Sequence, residues 1–136
     1  MPSRLFVNLP VADLPRAQAF YTGLGFTLNP RFSNEQAACI VISEHIGVML
    51  LVKPFFQGFT HLPVADPAKG TAVLNALECA SRDEVNGFVA KALAAGGSTP
   101  NRAQDHGFMF QHGFADPDGH QWEVFYMDEA AAPRQF

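Results

Sequence analysis

Basic residues are few in this sequence, and they are not clustered. The 136 residues include 9 Lys and Arg against 13 Asp and Glu, which gives a formal net charge of −4. A protein that grips phosphate groups needs a basic patch or stripe. Nucleic acid and anionic membranes are therefore not expected as partners.

Cysteine is almost absent, and long apolar runs are absent altogether. The two cysteines, Cys39 and Cys79, lie in short apolar stretches, where a small buried thiol is the usual role. No stretch approaches the roughly 18 apolar residues of a membrane span, and the N-terminus lacks the pattern of a signal peptide. Without export signals a disulfide is not expected. We expect a cytoplasmic protein.

Phenylalanine, by contrast, is abundant: the chain has 13 Phe but only 2 Tyr and 1 Trp. A chain of this length is expected to form a single domain over residues 1–136. So much aromatic surface without a polar group indicates a large core, an apolar pocket or a buried subunit interface.

The sequence repeats itself at about half its length. At an offset of 68 residues, Asp13 corresponds to Ser81 and Phe20 to Phe88. Asp13 and Ser81 are both typical helix N-caps, and Glu84 completes a capping box by reaching back to the cap amide. Apolar residues then follow at i, i+3, i+4 and i+7 in both halves. Each half is predicted to contain one helix that buries its phenylalanine.

Beyond these helices the offset becomes 72 residues. This offset pairs Gly25 with Gly97 and Val52 with Val124. Four added residues are about one helical turn. The second helix is therefore predicted to be one turn longer than the first.

Each half is predicted to run strand, helix and three strands, an α+β fold made by a tandem βαβββ duplication. The first repeat covers about residues 4–53, a linker covers 54–70, and the second repeat covers about 71–128. Asp116-Pro117-Asp118-Gly119 predicts the turn between the last two strands. The tail after Asp128 is expected to be frayed. The predicted helices are 14–24 and 82–95, and the predicted strands are 5–11, 27–32, 38–43, 48–52, 72–79, 98–102, 107–115 and 121–127.

Two motifs, together with this order of elements, resemble the vicinal oxygen chelate superfamily, which includes glyoxalase I, extradiol dioxygenases and the bleomycin- and fosfomycin-resistance proteins. The early motif combines Val-Ala-Asp-Leu, Phe-Tyr and Leu-Gly-Phe, and the late motif is Asp-Pro-Asp-Gly-His-Gln-Trp-Glu-Val. Phe-Val-Asn-Leu-Pro-Val, Ala-Ala-Cys-Ile-Val-Ile-Ser and Val-Met-Leu-Leu are similar to a branch labelled predicted lactoylglutathione lyase. The resemblance implies two curled mixed sheets that form a cup with the helices outside, and a homodimer.

The resemblance also implies where a metal would be held. Metal enzymes of the superfamily place ligands on the first and last strands of each half, and these positions correspond here to Phe6, Leu51, Leu74 and Glu123. A catalytic Zn, Ni or Fe site needs at least three N, O or S ligands, and Phe and Leu offer none. We therefore expect no metal and no other cofactor.

Glu123 is the candidate catalytic residue, because strand alternation and the resemblance point it into the cup. A carboxylate there could move a proton as a general base, or it could be a relic bonded to a buried partner such as Asn8. Asn8 could equally hydrogen-bond a ligand. The remaining expected ligand-binding residues of the cup are Phe6, Met49, Leu51, Leu74 and Phe125.

His106 is a further candidate for a polar pocket wall, against a role at the surface or in a turn. Two function classes remain open. The first is a metal-free protein of the glyoxalase/bleomycin-resistance type that binds an apolar or aromatic small molecule in the cup. The second is a divergent glyoxalase-like lyase or isomerase that uses Glu123 as general base.

Overall fold

The computed structural model describes residues 1–131, and the chain divides into two compact units after Gly70. The first unit contains β1 (Leu5–Val11), α1 (Leu14–Gly23), β2 (Thr27–Asn29), β3 (Ala37–Val41), β4 (Ile46–Val52) and the short helix α2 (Lys53–Gln57). Its sheet has the order β1-β4-β3-β2, with β1 parallel to β4 and the other neighbours antiparallel.

The second unit repeats this plan with β5 (Asn75–Glu78), α3 (Arg82–Ala94), β6 (Gln104–Asp105), β7 (Met109–Ala115) and β8 (Gln121–Met127). Its sheet has the order β5-β8-β7-β6, and again the first and last strands of the unit are parallel. The predicted α+β fold with a tandem βαβββ duplication is therefore confirmed. The prediction that the whole chain is one domain stays a prediction, and part of the predicted frayed tail, residues 132–136, lies outside the described residues.

Each unit covers one face of its sheet with its long helix. α1 packs on β3 and β4, and α3 packs on β7 and β8. Asp13 and Ser81 cap these helices, their side chains accepting from the backbone N–H groups of Arg16 and Glu84 at 3.0 and 3.1 Å. The reciprocal bond of the predicted capping box reaches one residue further than expected, because a carboxylate oxygen of Glu84 accepts from the backbone N–H of Ala80.

The predicted burial of the two matching phenylalanines holds for one of them. Phe20 is fully buried beneath α1, whereas Phe88 on α3 is only half-buried and lies under the Nζ atom of Lys91 at 5.9 Å. The inner face of α3 is instead filled by smaller side chains, Val85, Val89 and Ala92. The buried face of α3 is therefore made of smaller side chains than that of α1, which buries Phe20 and Tyr21.

Strand pairing corrects the predicted offset beyond the helices. Leu9 pairs with Leu50, and its counterpart Leu77 pairs with Val124, so the last strands are related by 74 residues and not 72. The residue that corresponds to Glu123 is then Met49, not Leu51. The helices contribute three of the added residues, since α1 has 10 residues and α3 has 13. The offset of 72 was wrong because isolated glycine matches do not fix register.

The predicted strand at 98–102 does not form. Ser98 makes a single bridge to Ala115, and regular pairing resumes only at β6. Four other strands are shorter than predicted. The strands predicted at 27–32 and 72–79 lose the most, because residues 30–32 form a 3₁₀ turn that starts at Pro30 and residues 72–74 precede β5. Proline fixes φ and lacks an N–H donor, which favours this turn over continued pairing.

The hairpin between β7 and β8 forms as predicted. One carboxylate oxygen of the buried Asp116 accepts from the backbone N–H groups of Asp118, Gly119 and His120 at 2.9–3.0 Å. Gly119 has φ of +104°, a conformation that favours glycine. Cys39 and Cys79 are buried free thiols. Among residues 1–131, no helix is both long and apolar enough to cross a membrane.

Candidate functional site

The first sheet leaves one face uncovered by α1. Directly paired residues of neighbouring strands point to the same face, and Val48 and Leu50, buried beneath the helix, mark the covered one. Two rows of paired residues cross the opposite, open face. One row is Asn8, Met49, Cys39 and Asn29, and the other is Phe6, Gly47, Val41 and Thr27.

These rows line a pocket of about 340 Å³ within the first unit. The walls are mainly apolar, and polar groups are confined to Arg4, Asn29, Ser43 and Glu44. We call this pocket the first-sheet pocket. Its apolar lining consists of Phe6, Phe32, Cys39, Val41, Ile46, Gly47 and Met49.

Gly47 allows the ring of Phe6 to lie against the sheet. A Cβ atom at position 47 would stand 2.7 Å from two ring carbons of Phe6, closer than real Cβ atoms approach other atoms. The ring is 45% exposed, and the guanidinium of Arg4 stands 5.7 Å from its centroid. Phe6 is therefore an aromatic wall of the pocket with a cation over its other surface.

Cys39 keeps the floor of the pocket apolar. The residue is buried, and burial raises the pKa of its thiol above the ordinary value. The thiol is therefore neutral near pH 7 and behaves as a small hydrophobe. The nearest charges stand at the rim, where Glu44 pairs with the exposed His45 at 3.0 Å.

The open face of the second sheet is more polar. Glu123 is half-buried there and pairs with Ala76 on one side and Gly113 on the other. The next row contains Phe125 and Gln111. A smaller pocket of about 190 Å³ lies beside Glu123. We call it the second-sheet pocket, and it is lined by Pro100, Asn101, Arg102, Gln104, Gln111, His112, Gly113, Phe114, Gln121, Trp122 and Glu123.

Of the predicted site residues in the first unit, Phe6 and Met49 line the first-sheet pocket. Asn8 is exposed in the same row as Met49, and Leu51 is buried on the same face one row further along. These four residues therefore share the open face of one sheet.

The predicted site residues of the second unit are more scattered. Glu123 and Phe125 share the open face of the second sheet, whereas Leu74 precedes β5 and is 52% exposed. His106 is exposed in the loop between β6 and β7, where its backbone N–H donates to the carbonyl of Met109. The sheet therefore brings together two of these four residues. A cup shared by both units, and a bond between Asn8 and Glu123, stay predictions.

Comparisons with known proteins agree with this geometry. A family model described as bleomycin resistance protein-like N-terminal matches residues 4–43. A glyoxalase-related enzyme from Fulvimarina pelagi superposes with a TM-score of 0.79 at 21% identity, over 93% of this chain and 88% of that one. This chain has the vicinal oxygen chelate fold.

Two further structures with the vicinal oxygen chelate fold superpose closely. A glyoxalase/bleomycin resistance protein/dioxygenase from Nocardioides has a TM-score of 0.75 and 24% identity, over 100% of this chain and 90% of that one. A hypothetical protein from S. aureus has a TM-score of 0.78 and 25% identity, over 93% and 94%. A search among curated proteins gave no significant match.

The residues present do not fit the metal that vicinal oxygen chelate enzymes are expected to hold. Phe6 and Leu74 have no lone pair to donate, and strand register replaces Leu51 by Met49, whose thioether is a weak ligand. Only Glu123 of the four positions carries a carboxylate. Within residues 1–131, no group of three or more His, Cys, Asp or Glu could hold a metal ion.

Two parts of the pockets carry no functional signal in the sequence. Cys39 and Val41 lie in a predicted strand, and their places in the pocket follow from their pairing with β4. Phe32 lies in the 3₁₀ turn after β2, where a strand was predicted. Arg102 was placed inside a strand that does not form. No local sequence pattern predicts either pocket, because each pocket depends on how segments that are distant in the sequence pair with each other.

Proposed function

We propose that this protein binds a small apolar or aromatic molecule in the first-sheet pocket, without a metal ion. The observation that carries the proposal is the lining of that pocket. The aromatic ring of Phe6, the thioether of Met49 and the neutral thiol of Cys39 lie together on the open face, with polar groups at the rim. Ligand sites of proteins typically combine apolar walls with a few placed polar groups.

The dimensions of the pocket suit a ligand of one or two rings. Its volume of about 340 Å³ falls in the range of about 300–1,000 Å³ usual for small-molecule sites. Removing on the order of 150 Å² of apolar surface from water contributes roughly 4 kcal/mol before the entropic cost of association, so apolar burial alone gives only weak binding. Tighter binding would have to use the polar rim formed by Arg4, Asn29, Ser43 and Glu44.

The family comparison supports the same pocket. The bleomycin resistance protein-like model covers residues 4–43, a segment that includes Phe6, Phe32 and Cys39. The part of the chain that matches the bleomycin resistance protein-like model therefore supplies much of the lining.

Calorimetric titration with 1-naphthol tests the proposal. The wild-type protein should bind this neutral bicyclic probe, and Met49→Trp should abolish binding by filling the pocket. Met109→Trp is the matched control, because Met109 is also a half-buried methionine but lies on the second sheet. Equal loss in both variants, or binding unaffected by Met49→Trp, would contradict the proposal.

A divergent lyase or isomerase is the second candidate, favoured by the place of Glu123 in a pocket that also contains Arg102. A general base and a cation that stabilises an oxyanion are both needed for such chemistry. Turnover of methylglyoxal and glutathione by wild type, lost by about 10²–10⁴-fold in Glu123→Gln, would support this candidate over binding alone. The expected homodimer stays a prediction, which sedimentation velocity tests.

A further inference from the structure

A gap opens beside β7 where the predicted strand at 98–102 fails to form. Ser98 and Ala115 exchange two backbone hydrogen bonds of 3.0 and 2.7 Å, and pairing resumes where Gln104 meets Gln111. Between these two points, residues 99–103 run opposite residues 112–114. Five residues opposite three cannot pair evenly, so the segment bows away from β7, and Asn101 and Arg102 come to line the second-sheet pocket.

Charges of both signs line this pocket without neutralising each other. Arg102 is exposed, and Glu123 is half-buried. Among the described residues, neither the guanidinium of Arg102 nor the carboxylate of Glu123 forms an ion pair or a hydrogen bond. By contrast, the neighbouring Arg82 is paired with Asp105 at 2.7 Å. The pocket thus offers one cation and one anion that remain available to a ligand.

Amide side chains supply much of the remaining polar lining. Gln111 donates to the side-chain oxygen of Gln104 at 3.2 Å, and Gln121 donates to the hydroxyl of Thr71 at 3.2 Å. Each amide keeps further donor or acceptor capacity, since a primary amide has two N–H donors and a carbonyl oxygen with two lone pairs. Such walls suit a ligand body that both donates and accepts hydrogen bonds.

The size of the pocket limits the ligand. A volume of about 190 Å³ is equivalent to roughly six water molecules at their share of liquid volume. The volume admits only a small molecule, and the polar lining favours a small polar metabolite over an apolar ring system.

We infer that the second-sheet pocket binds a small zwitterion of the free amino acid class, with the ligand's carboxylate on Arg102 and its ammonium on Glu123. Arginine and a carboxylate form two parallel charge-assisted hydrogen bonds, and an ammonium group donates to a carboxylate. The amide walls select a polar side chain. The two halves of the chain then serve ligands of different chemistry.

Titration with L-glutamine followed by ¹H–¹⁵N NMR tests this inference on the full chain. Saturable shifts are expected at Gly113 and at the side-chain amides of Gln111 and Gln121. N-acetyl-L-glutamine lacks the ammonium, L-glutamine amide lacks the carboxylate, and L-leucine has an apolar side chain. Each of these three compounds should bind at least about tenfold more weakly, a difference of about 1.4 kcal/mol.

Charge-removing variants make the test specific. Arg102→Gln and Glu123→Gln should each weaken L-glutamine binding at least about tenfold, whereas Arg31→Gln and Glu129→Gln, at exposed positions outside the pocket, should not. Circular dichroism checks that every variant is folded. The inference is overturned if L-glutamine gives no saturable shifts at millimolar concentration, if L-leucine binds equally well, or if folded Arg102→Gln and Glu123→Gln variants bind like wild type.

Discussion

Met49 and Glu123 occupy the same position in the two sheets. Each pairs with the first strand of its unit, Met49 with Asn8 and Glu123 with Ala76, and each also pairs with the third strand of its sheet. A thioether in one half and a carboxylate in the other give the two open faces different chemistry. The two positions therefore do not supply a matching pair of metal-ligating carboxylates. The pocket on the first sheet is apolar, and the pocket on the second sheet is polar.

The first prediction concerns metal content. The protein is expressed in medium supplemented with Zn, Ni and Fe and purified without chelators. It should contain well below one transition metal ion per chain, because Phe6, Met49 and Leu74 supply no hard or charged ligand in addition to Glu123. Elemental analysis of wild type and Glu123→Ala is the measurement. About one metal per chain in wild type, lost in the variant, would refute the prediction.

The second prediction separates the two phenylalanines that the repeat places in matching positions. Phe20→Ala should lower the free energy of unfolding by about 3–5 kcal/mol, because a fully buried ring leaves a cavity. Phe88→Ala should cost less, about 1–2 kcal/mol, because Phe88 is only partly buried and its removal leaves a smaller enclosed cavity. Urea unfolding of both variants gives the comparison, and equal losses would show that the two helices are packed alike.

The third prediction tests the contact between Phe6 and Gly47. In Gly47→Ala the added methyl group must displace the Phe6 side chain, which is 45% exposed and can move towards solvent at low cost. The free energy of unfolding should therefore change by less than about 1 kcal/mol. Binding of 1-naphthol should weaken roughly tenfold, since one wall of the pocket moves.

Gly87→Ala is the control for that variant. Nothing lies within 4 Å of a Cβ atom at position 87, in the middle of α3. Alanine there should stabilise the protein by up to about 1 kcal/mol through helix propensity and leave binding unchanged. If Gly47→Ala also left 1-naphthol binding unchanged, Phe6 would not be a wall of the site.

The fourth prediction concerns the ion pair that holds β6 to the start of α3. Hydrogen bonds from Arg82, and then from the backbone of Gly107, lower the pKa of Asp105 to about 2 from its ordinary 3.8. The unfolded chain therefore binds the proton first as pH falls. The stability that this group contributes is fully present above 3.8 and is lost as pH drops towards 2.

Urea unfolding of wild type and Asp105→Asn across this pH range measures the effect. The stability difference between the two should be constant above about pH 5, should shrink as pH falls towards 2, and should vanish only below the pKa of the folded state. In Arg82→Gln the free energy of unfolding should depend less on pH than in wild type, as in Asp105→Asn, because the variant removes the partner of Asp105. A difference that persists unchanged at the lowest pH would mean that Asp105 acts through something other than its charge.

Much of the fold could be predicted from the sequence because its signals are local. The caps at Asp13 and Ser81, the spacing of apolar residues after them and the Asp116 turn each depend on neighbours within a few residues. The bulged segment around Arg102 could not be predicted, since its conformation depends on how many residues fit between two pairing points on β7.

The candidate site was predictable only in part for the same reason. Phe6 and Glu123 follow from the motifs of the resemblance, and strand alternation then gives the face of Glu123, but the partner of Glu123 in the other half requires the strand register. Moving two residues along β4 keeps a side chain on the same face of the sheet and places it in the next row of paired residues. Strand alternation alone therefore does not distinguish Leu51 from Met49 as the counterpart of Glu123. The apolar pocket also needs Val41, which β3 places beside β4, and Phe32, which lies in the 3₁₀ turn after β2.

The four methionines allow a direct measurement of ligand binding in the first-sheet pocket. Met49 lines that pocket, Met109 and Met127 pair with each other on the second sheet, and Met1 is exposed at the terminus. Protein labelled with ¹³C at the methionine methyl groups is titrated with 1-naphthol and followed by NMR. The methyl signal of Met49 should shift and saturate while the other three stay in place. Shifts at Met109 and Met127 with Met49 unmoved would contradict the proposed site.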